Sequence, residues 1–435
     1  NLGYTSIQFH TVGKRRETLY HQFQIEEFRR PEFEVNATAS AAPNLIGGSG
    51  DITVNAKYFS GGPLAGADVT WNLSASETTF TPPNRDEFVF GKWVPWWGYR
   101  GGYDYDGESY GGYGRGGRYT PPKSWTHQAK TDGAGAHVLH MDFLSANPAV
   151  PMSVSANASV MDVNRQAWNA SAAVLVHPSS LYVGLRTKRP FVDKGTPFPI
   201  DVIGVDIEGK AVPGSKITVK TVRKDYEYKK GKYVEKDVDP QTCDVVSAAD
   251  VSKCEFATKE GGSYESVATI VDAKGRTNTT TITFWVSGGD RVPSRDVKRE
   301  EAQIIPDKKE YQQGDVAELL VMSPFAPAEA LVTWRRSGIV KTERITLTGS
   351  TAVVKVPIVD AMVPNLNVHV DLVGEAPRLN DKGDADPALP KRVAYAGGEI
   401  NLPIPAKRRT LQLTVTPSAA KFSPGETAKV TVVVK

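Results

Sequence analysis

An all-β fold built from antiparallel β-sandwiches in tandem follows from three observations. Helical periodicity is almost absent. Short runs that alternate or are rich in Val and Thr, each bounded by Gly, Pro or Asp, recur at 51–59, 198–205, 216–222, 277–286, 317–322, 365–373 and 411–416. A pattern of strand, Gly/Ala/Pro turn and strand also repeats along the chain.

The first copy of that pattern runs from Gly50-Asp51 through the turn at 61–67 to Val69-Thr70-Trp71. The second runs from Gly195 through 209–214 to 217–219, and the third from Gly314-Asp315 through 326–330 to Val332-Thr333-Trp334. A fourth begins at Gly425-Glu426. Glycine permits the tight bend, and the turn is expected to return the second strand antiparallel to the first as a hairpin. Further hairpin tips are expected at 132–135 and 272–275. Copies start roughly 110 to 145 residues apart, the length of one sandwich plus insertions. The expected organisation is a tail of a preceding domain at 1–30, a domain at 31–178 with an insertion at 93–119, and a domain at 179–288. A linker at 289–302, a domain at 303–407 and the start of another at 408–435 complete it. The chain opens at Asn1 without a methionine or leader and closes on a Val/Thr run, so it reads as an internal piece of something longer.

Composition narrows the function. With 435 residues, 40% of them hydrophobic, the chain has enough apolar material for three or four cores and too much for a disordered polymer. A net charge of +3 lacks the dense basic surface of a nucleic-acid binder, so no nucleic-acid partner is expected. No apolar run reaches the roughly 18 residues of a membrane helix, so any membrane anchoring is expected outside this chain. The 2 cysteines, Cys243 and Cys254, flank a short polar stretch suited to a hairpin tip. A disulfide between them, rather than two free thiols, points to a periplasmic or secreted, cell-surface setting. The sequons that begin at Asn36, Asn72, Asn157, Asn169 and Asn278 are expected by chance in a chain this rich in Ser and Thr.

The insertion at 93–119 holds 9 aromatics and 9 glycines. Its Trp93, Trp96, Trp97, Tyr99 and Tyr103 form a candidate interaction loop. Stacking on single-stranded RNA, a sugar-binding platform, a docking or protease-accessible segment, and a plain surface loop with aromatics folded back are the competing readings. RNA fits least, because Asp104, Asp106 and Glu108 nearly cancel the arginines.

Catalytic signatures are missing. His137 and His140, three apart on a strand, point to opposite faces and do not chelate together. There is no Gly-X-Ser-X-Gly elbow, His-Glu-X-X-His pair or P-loop, and the acidic stretches at 104–107 and 380–386 lack a calcium loop ending in glutamate. No enzyme activity, cofactor or metal is expected.

Several segments taken together resemble the bacterial α2-macroglobulin family. They are Phe23-Gln24-Ile25-Glu26-Glu27-Phe28-Arg29-Arg30-Pro31-Glu32-Phe33-Glu34-Val35, similar to a junction between successive domains, and Tyr58-Phe59-Ser60-Gly61-Gly62-Pro63-Leu64-Ala65-Gly66-Ala67, similar to the next hairpin. Val163-Asn164-Arg165-Gln166, the stretch 176–185, the stretch 307–317, Ser323-Pro324-Phe325, 330–334, Val363-Pro364-Asn365-Leu366 and Phe422-Ser423-Pro424-Gly425-Glu426 continue the match in order. The resemblance implies macroglobulin-like (Ig/fibronectin-like) antiparallel β-sandwich domains. It also implies a protease inhibitor whose bait segment is cut by a target endopeptidase, after which the molecule rearranges and confines the protease. Neither Cys243 nor Cys254 is followed by the X-X-Gln of the family's thioester. On this resemblance the chain is a non-catalytic scaffold beside neighbouring macroglobulin-like domains of the same polypeptide, with the bait beyond Lys435. The competing reading is an adhesin or carbohydrate-binding array of Ig-like domains that uses the aromatic insertion.

Overall fold

The computed structural model describes residues 3–10, 18–25, 32–97, 123–144, 149–229, 232–289, 300–380, 386–406, 411–422 and 425–435. Among them, strands carry nearly all the regular structure. The chain divides into two units, one comprising Asn1–Thr78, Pro121–Ala146 and Pro151–His177, the other Thr79–Thr120, Asn147–Val150 and Pro178–Lys435.

In the first unit, β1 (Gly3–His10) and β2 (Thr18–Ile25) form an antiparallel hairpin. The first sandwich follows, from β3 (Phe33–Ala39), β4 (Asn44–Leu45), β5 (Ser49–Tyr58), β6 (Asp68–Glu77), β7 (Lys123–Lys130), β8 (Ala136–Asp142), β9 (Met152–Met161) and β10 (Ala167–His177). One sheet has the order β3-β5-β8 and the other β4-β10-β9-β6-β7. Alternation explains the core: Ile52, Val54 and Ala56 of β5 face Val69 and Trp71 of β6 and Ala156, Ala158 and Val160 of β9. The Trp71 indole N–H, buried with its ring, donates to His137 Nδ1 at 3.1 Å.

The second unit holds two more sandwiches. The second sandwich comprises β11 (Leu181–Arg186), β12 (Phe191–Val192), β13 (Phe198–Asp206), β14 (Lys216–Lys229), β15 (Lys232–Val246), β16 (Ser252–Phe256), β17 (Gly262–Val271) and β18 (Thr277–Val286). Its sheets have the orders β11-β13-β16 and β12-β18-β17-β14-β15. The third comprises β19 (Gln303–Pro306), β20 (Val316–Met322), β21 (Ala328–Arg335), β22 (Ile339–Leu347), β23 (Thr351–Pro357), β24 (Asn365–Ala376) and β25 (Arg392–Pro403). Its sheets are β19-β20-β23 and β22-β21-β24-β25. A last hairpin pairs β26 (Leu413–Pro417) with β27 (Val430–Val434).

The repeated turn does something other than the hairpin expected of it. In every complete copy it carries the chain from one sheet to the other: β5 to β6, β13 to β14, β20 to β21. The reason lies in the edges. Strand β5 sits between β3 and β8, β13 between β11 and β16, and β20 between β19 and β23. With both hydrogen-bonding edges taken, the strand has no side free for its successor, which must join the opposite sheet. The turn at 132–135 likewise crosses between sheets, whereas 272–275 is a true hairpin joining β17 and β18. At that tip Asp272 accepts from the Lys274 and Arg276 main-chain N–H groups, and its carboxylate also binds the Ser180 N–H and the Arg276 guanidinium.

Cys243 and Cys254 form the expected disulfide, but not across a hairpin. Cys243 lies on β15, the outermost strand of the five-stranded sheet, opposite Val219 of β14, and Cys254 on β16, an outermost strand of the three-stranded sheet, opposite Ile200 of β13. The bond therefore fastens the two sheets together along one side of the second sandwich.

Candidate functional site

Between β6 and β7 the chain leaves the first sandwich and joins the second unit. Its described part, residues 79–97, is a strap laid along the side of the second sandwich opposite the disulfide. That side is bounded by β11 in one sheet and β18, with the short β12, in the other.

The strap begins with polar anchoring and continues with aromatic burial. Arg85 Nε donates to the Gly209 carbonyl at 2.8 Å. Phe88 and Phe90 then enter an apolar patch on the outer face of the three-stranded sheet, against Tyr182, Ile203 and Val205. Both rings are buried, at 5% and 6% exposure. A Cβ on Gly184 would lie 2.7 Å from the Phe90 ring, so the missing side chain in the middle of β11 is the socket for that phenylalanine. The Arg186 guanidinium stacks 4.6 Å from the Phe88 ring centroid and holds Asp201 through Nε and Nη2. Burial pushes the Tyr182 phenol up from its ordinary value.

The main chain of the strap pairs with both sheets. Val89 and Leu185 exchange N–H···O bonds of 2.8 and 3.0 Å. The Gly91 N–H reaches Thr280 Oγ1, whose hydroxyl donates to the Val183 carbonyl, so β18, β11 and the strap meet at one threonine. Thr281 N–H donates to the Gly91 carbonyl and the Trp93 N–H to the Thr281 carbonyl, at 2.7 and 2.8 Å. Gly91 takes φ of 75°, which lets the strap turn from β11 towards β18.

Beyond Gly91 the strap reaches the junction of the second and third sandwiches. Phe191 and Trp285 from the second and Ile305, Leu320 and Met322 from the third form one cluster there, with Trp93 and Trp97 packed on it. Trp93 lies 6.1 Å and Trp97 5.8 Å from Trp285, ring centroid to ring centroid. Trp96 closes against Trp97 edge-on at 4.8 Å. Trp97 also touches the core of the third sandwich. Around this cluster Arg189 binds Glu318 at 2.8 Å while stacking on Phe191, Gly288 N–H donates to Thr351 Oγ1, and Ser350 Oγ donates to the Gly289 carbonyl. The Arg189 hydrogen bond holds the Glu318 carboxyl below its ordinary value against a smaller effect of burial.

Of the candidate interaction loop, Trp93, Trp96 and Trp97 are therefore brought together, the first and last half-buried and Trp96 at 37% exposure. Tyr99 and Tyr103 lie outside the described residues, as do Asp104, Asp106 and the stretch 381–385. The partners Phe88, Phe90, Gly184, Trp285 and Leu320 were not singled out from sequence. The signals were present: Phe88-Val89-Phe90 is a short apolar run of β-prone residues, and the uninterrupted Phe284-Trp285-Val286 and Leu319-Leu320-Val321-Met322 runs belong to strands buried on both faces.

His137 and His140 each hold a neighbouring side chain. His137 accepts from Trp71, and His140 pairs with Asp51 at 2.6 Å, which raises its pKa. Among the described residues no group of three His, Cys, Asp or Glu side chains is arranged to hold a metal ion. No described helix is long and apolar enough to cross a membrane.

Residues 302–435 match the family model described as the alpha-2-macroglobulin bait region domain. This domain match starts at Ala302, well before Lys435, beyond which the bait was expected. A curated relative, the alpha-2-macroglobulin homolog of Nostoc sp., is 24% identical over 98% of this chain and 21% of its own length. The chain thus spans about a fifth of the length of that relative. The circularly permutated Ras protein 2 of Dictyostelium discoideum is 26% identical over 50% of the chain and 5% of its own. Among solved structures, the native conformation of E. coli alpha-2-macroglobulin aligns with 99% of this chain and 27% of its own, at 17% identity and a TM-score of 0.43.

Proposed function

We propose that this chain is a member of the alpha-2-macroglobulin family and a non-catalytic scaffold portion of a protease trap. In this reading a target endopeptidase cuts the bait region, the domains shift, and the protease is confined. The observation that carries the reading is the bait region domain match over 302–435, the stretch that holds the third sandwich. The chain itself supplies position and mechanical connection rather than chemistry. A disulfide in a chain with only 2 cysteines supports a periplasmic or secreted setting. The adhesin reading gains no comparable support, since Trp93 and Trp97 are spent on the chain's own junction.

The test uses the longer protein that carries this sequence, incubated with trypsin and with elastase. A trapped protease keeps its activity on a small peptide substrate and loses it on a large protein substrate, and mass spectrometry finds cleavage in or adjoining the bait region. Undiminished digestion of the large substrate after such cleavage would sink the proposal. The 435-residue chain by itself is expected to leave both proteases fully active, and measurable inhibition by it alone would contradict the scaffold role.

A further inference from the structure

We propose that residues 79–97 are a releasable strap, a segment that docks and undocks as one body and whose docked state locks the second sandwich to the third. The proposal stands on geometry and does not rest on protease trapping. A permanent strand of a sheet is held by a continuous ladder. The strap instead pairs through two isolated bridges, Val89 with Leu185 in antiparallel sense and Lys92 with Thr281 in parallel sense, and these lie in different sheets. Its hold comes mainly from aromatic plugs: Phe88 and Phe90 at one end, Trp93 and Trp97 at the other.

Each sandwich also has a complete core of its own, with Ile217, Ala268 and Phe284 in the second and Leu319, Val332 and Val370 in the third. Removing the strap therefore takes Val89 and Trp93 off the margin of the second core and Trp97 off the margin of the third, leaves the fully buried residues of each in place, and uncovers the patch around Tyr182. The socket is specific. Gly184 is the position whose side chain would collide with Phe90, and a Cβ on Gly209 would lie 2.1 Å from the Pro83 carbonyl oxygen. At Gly184 the tightest approach is to the strap, with Ile203 of its own sandwich next at 3.0 Å, and at Gly209, whose φ of 83° itself favours glycine, the nearest atoms all belong to Pro83 of the strap.

The experiment is residue-resolved hydrogen exchange on the full chain, comparing wild type with Gly184→Ala and Phe90→Ala. The first variant crowds the socket and the second empties it. In wild type the amides of Val89, Trp93, Leu185 and Thr281, which bond strap to sandwich, are expected to share one protection factor once each rate is divided by its intrinsic value. In both variants they should accelerate together by about tenfold or more, the mark of a sub-global opening, while the β14–β17 ladder keeps its protection. The Gly288 amide, which donates to Thr351 across the junction, should accelerate with them. Unequal wild-type protection factors at the four strap amides would overturn the proposal, as would equal loss of protection in the β14–β17 ladder of Phe90→Ala. A Gly288 amide that stays protected in Phe90→Ala would overturn the lock between sandwiches.

Discussion

Asp272 shows how much one side chain settles in this chain. It is 6% exposed, at the tip between β17 and β18, and its carboxylate accepts from the Ser180 N–H and hydroxyl, the Lys274 and Arg276 N–H groups and the Arg276 guanidinium. Burial alone would raise its pKa, but the N–H groups of Ser180 and Arg276, joined by the Arg276 guanidinium, outweigh it and hold the carboxyl well below its ordinary value. The folded value lies below the unfolded one. Its stabilisation is therefore complete above the ordinary carboxylate range and is lost as pH falls through the folded value. Asp272→Asn keeps the size but turns an amide N–H₂ towards donors, and should cost about 1–3 kcal/mol in urea unfolding at pH 7. The difference from wild type should shrink in acid. Equal stability at pH 7 would refute this account.

At the scale of the element, the two long sides of the second sandwich are closed by different means. A covalent bond fastens β15 to β16, and the strap covers β11 and β18. Replacing both cysteines by serine should lower stability by about 2–3 kcal/mol, the loop-entropy value for a span this short, as read from denaturant midpoints. Trp93→Ala removes a half-buried ring from the junction and should cost about 2–4 kcal/mol by the same measurement. It should also leave the β17–β18 hairpin intact by circular dichroism.

These elements also mark how far the sequence could be read. The strand at 277–286 coincides with β18, and the start at 198 and the core alternation of β13 follow directly from residue pattern. Alternation is a property of a strand and its own two faces, so it is legible locally. The choice of sheet after each turn was not, because it depends on whether both edges of the preceding strand are already filled by strands far along the chain. For the same reason the disulfide pairing was legible from two nearby cysteines, while its inter-sheet geometry was not. Trp93, Trp96 and Trp97 drew attention by composition. Their partner Trp285 is 188 positions beyond Trp97, and only the folded chain brings them together.

At the scale of the whole chain, the described residues form a series of sandwiches with the bait region domain match starting at the third. The second and third share an apolar junction and are expected to unfold together. Calorimetry on the full chain should show them as one cooperative transition that Trp97→Ala splits into two. Two separate transitions already in wild type would show that the junction transmits little.

The excursion between β6 and β7 also bears on how the chain is made. Synthesis delivers the strap first and its acceptor later: Thr281, which the strap must bond, follows Trp97 by 184 positions. At the usual ribosomal pace of about 5–20 residues per second, that gap lasts roughly 10–40 seconds. During it Phe88, Phe90, Trp93 and Trp97 emerge without the surfaces that cover them in the finished protein. A nascent chain carrying such a sticky segment is a natural client for a holding chaperone, and its yield should depend on translation speed across 98–281.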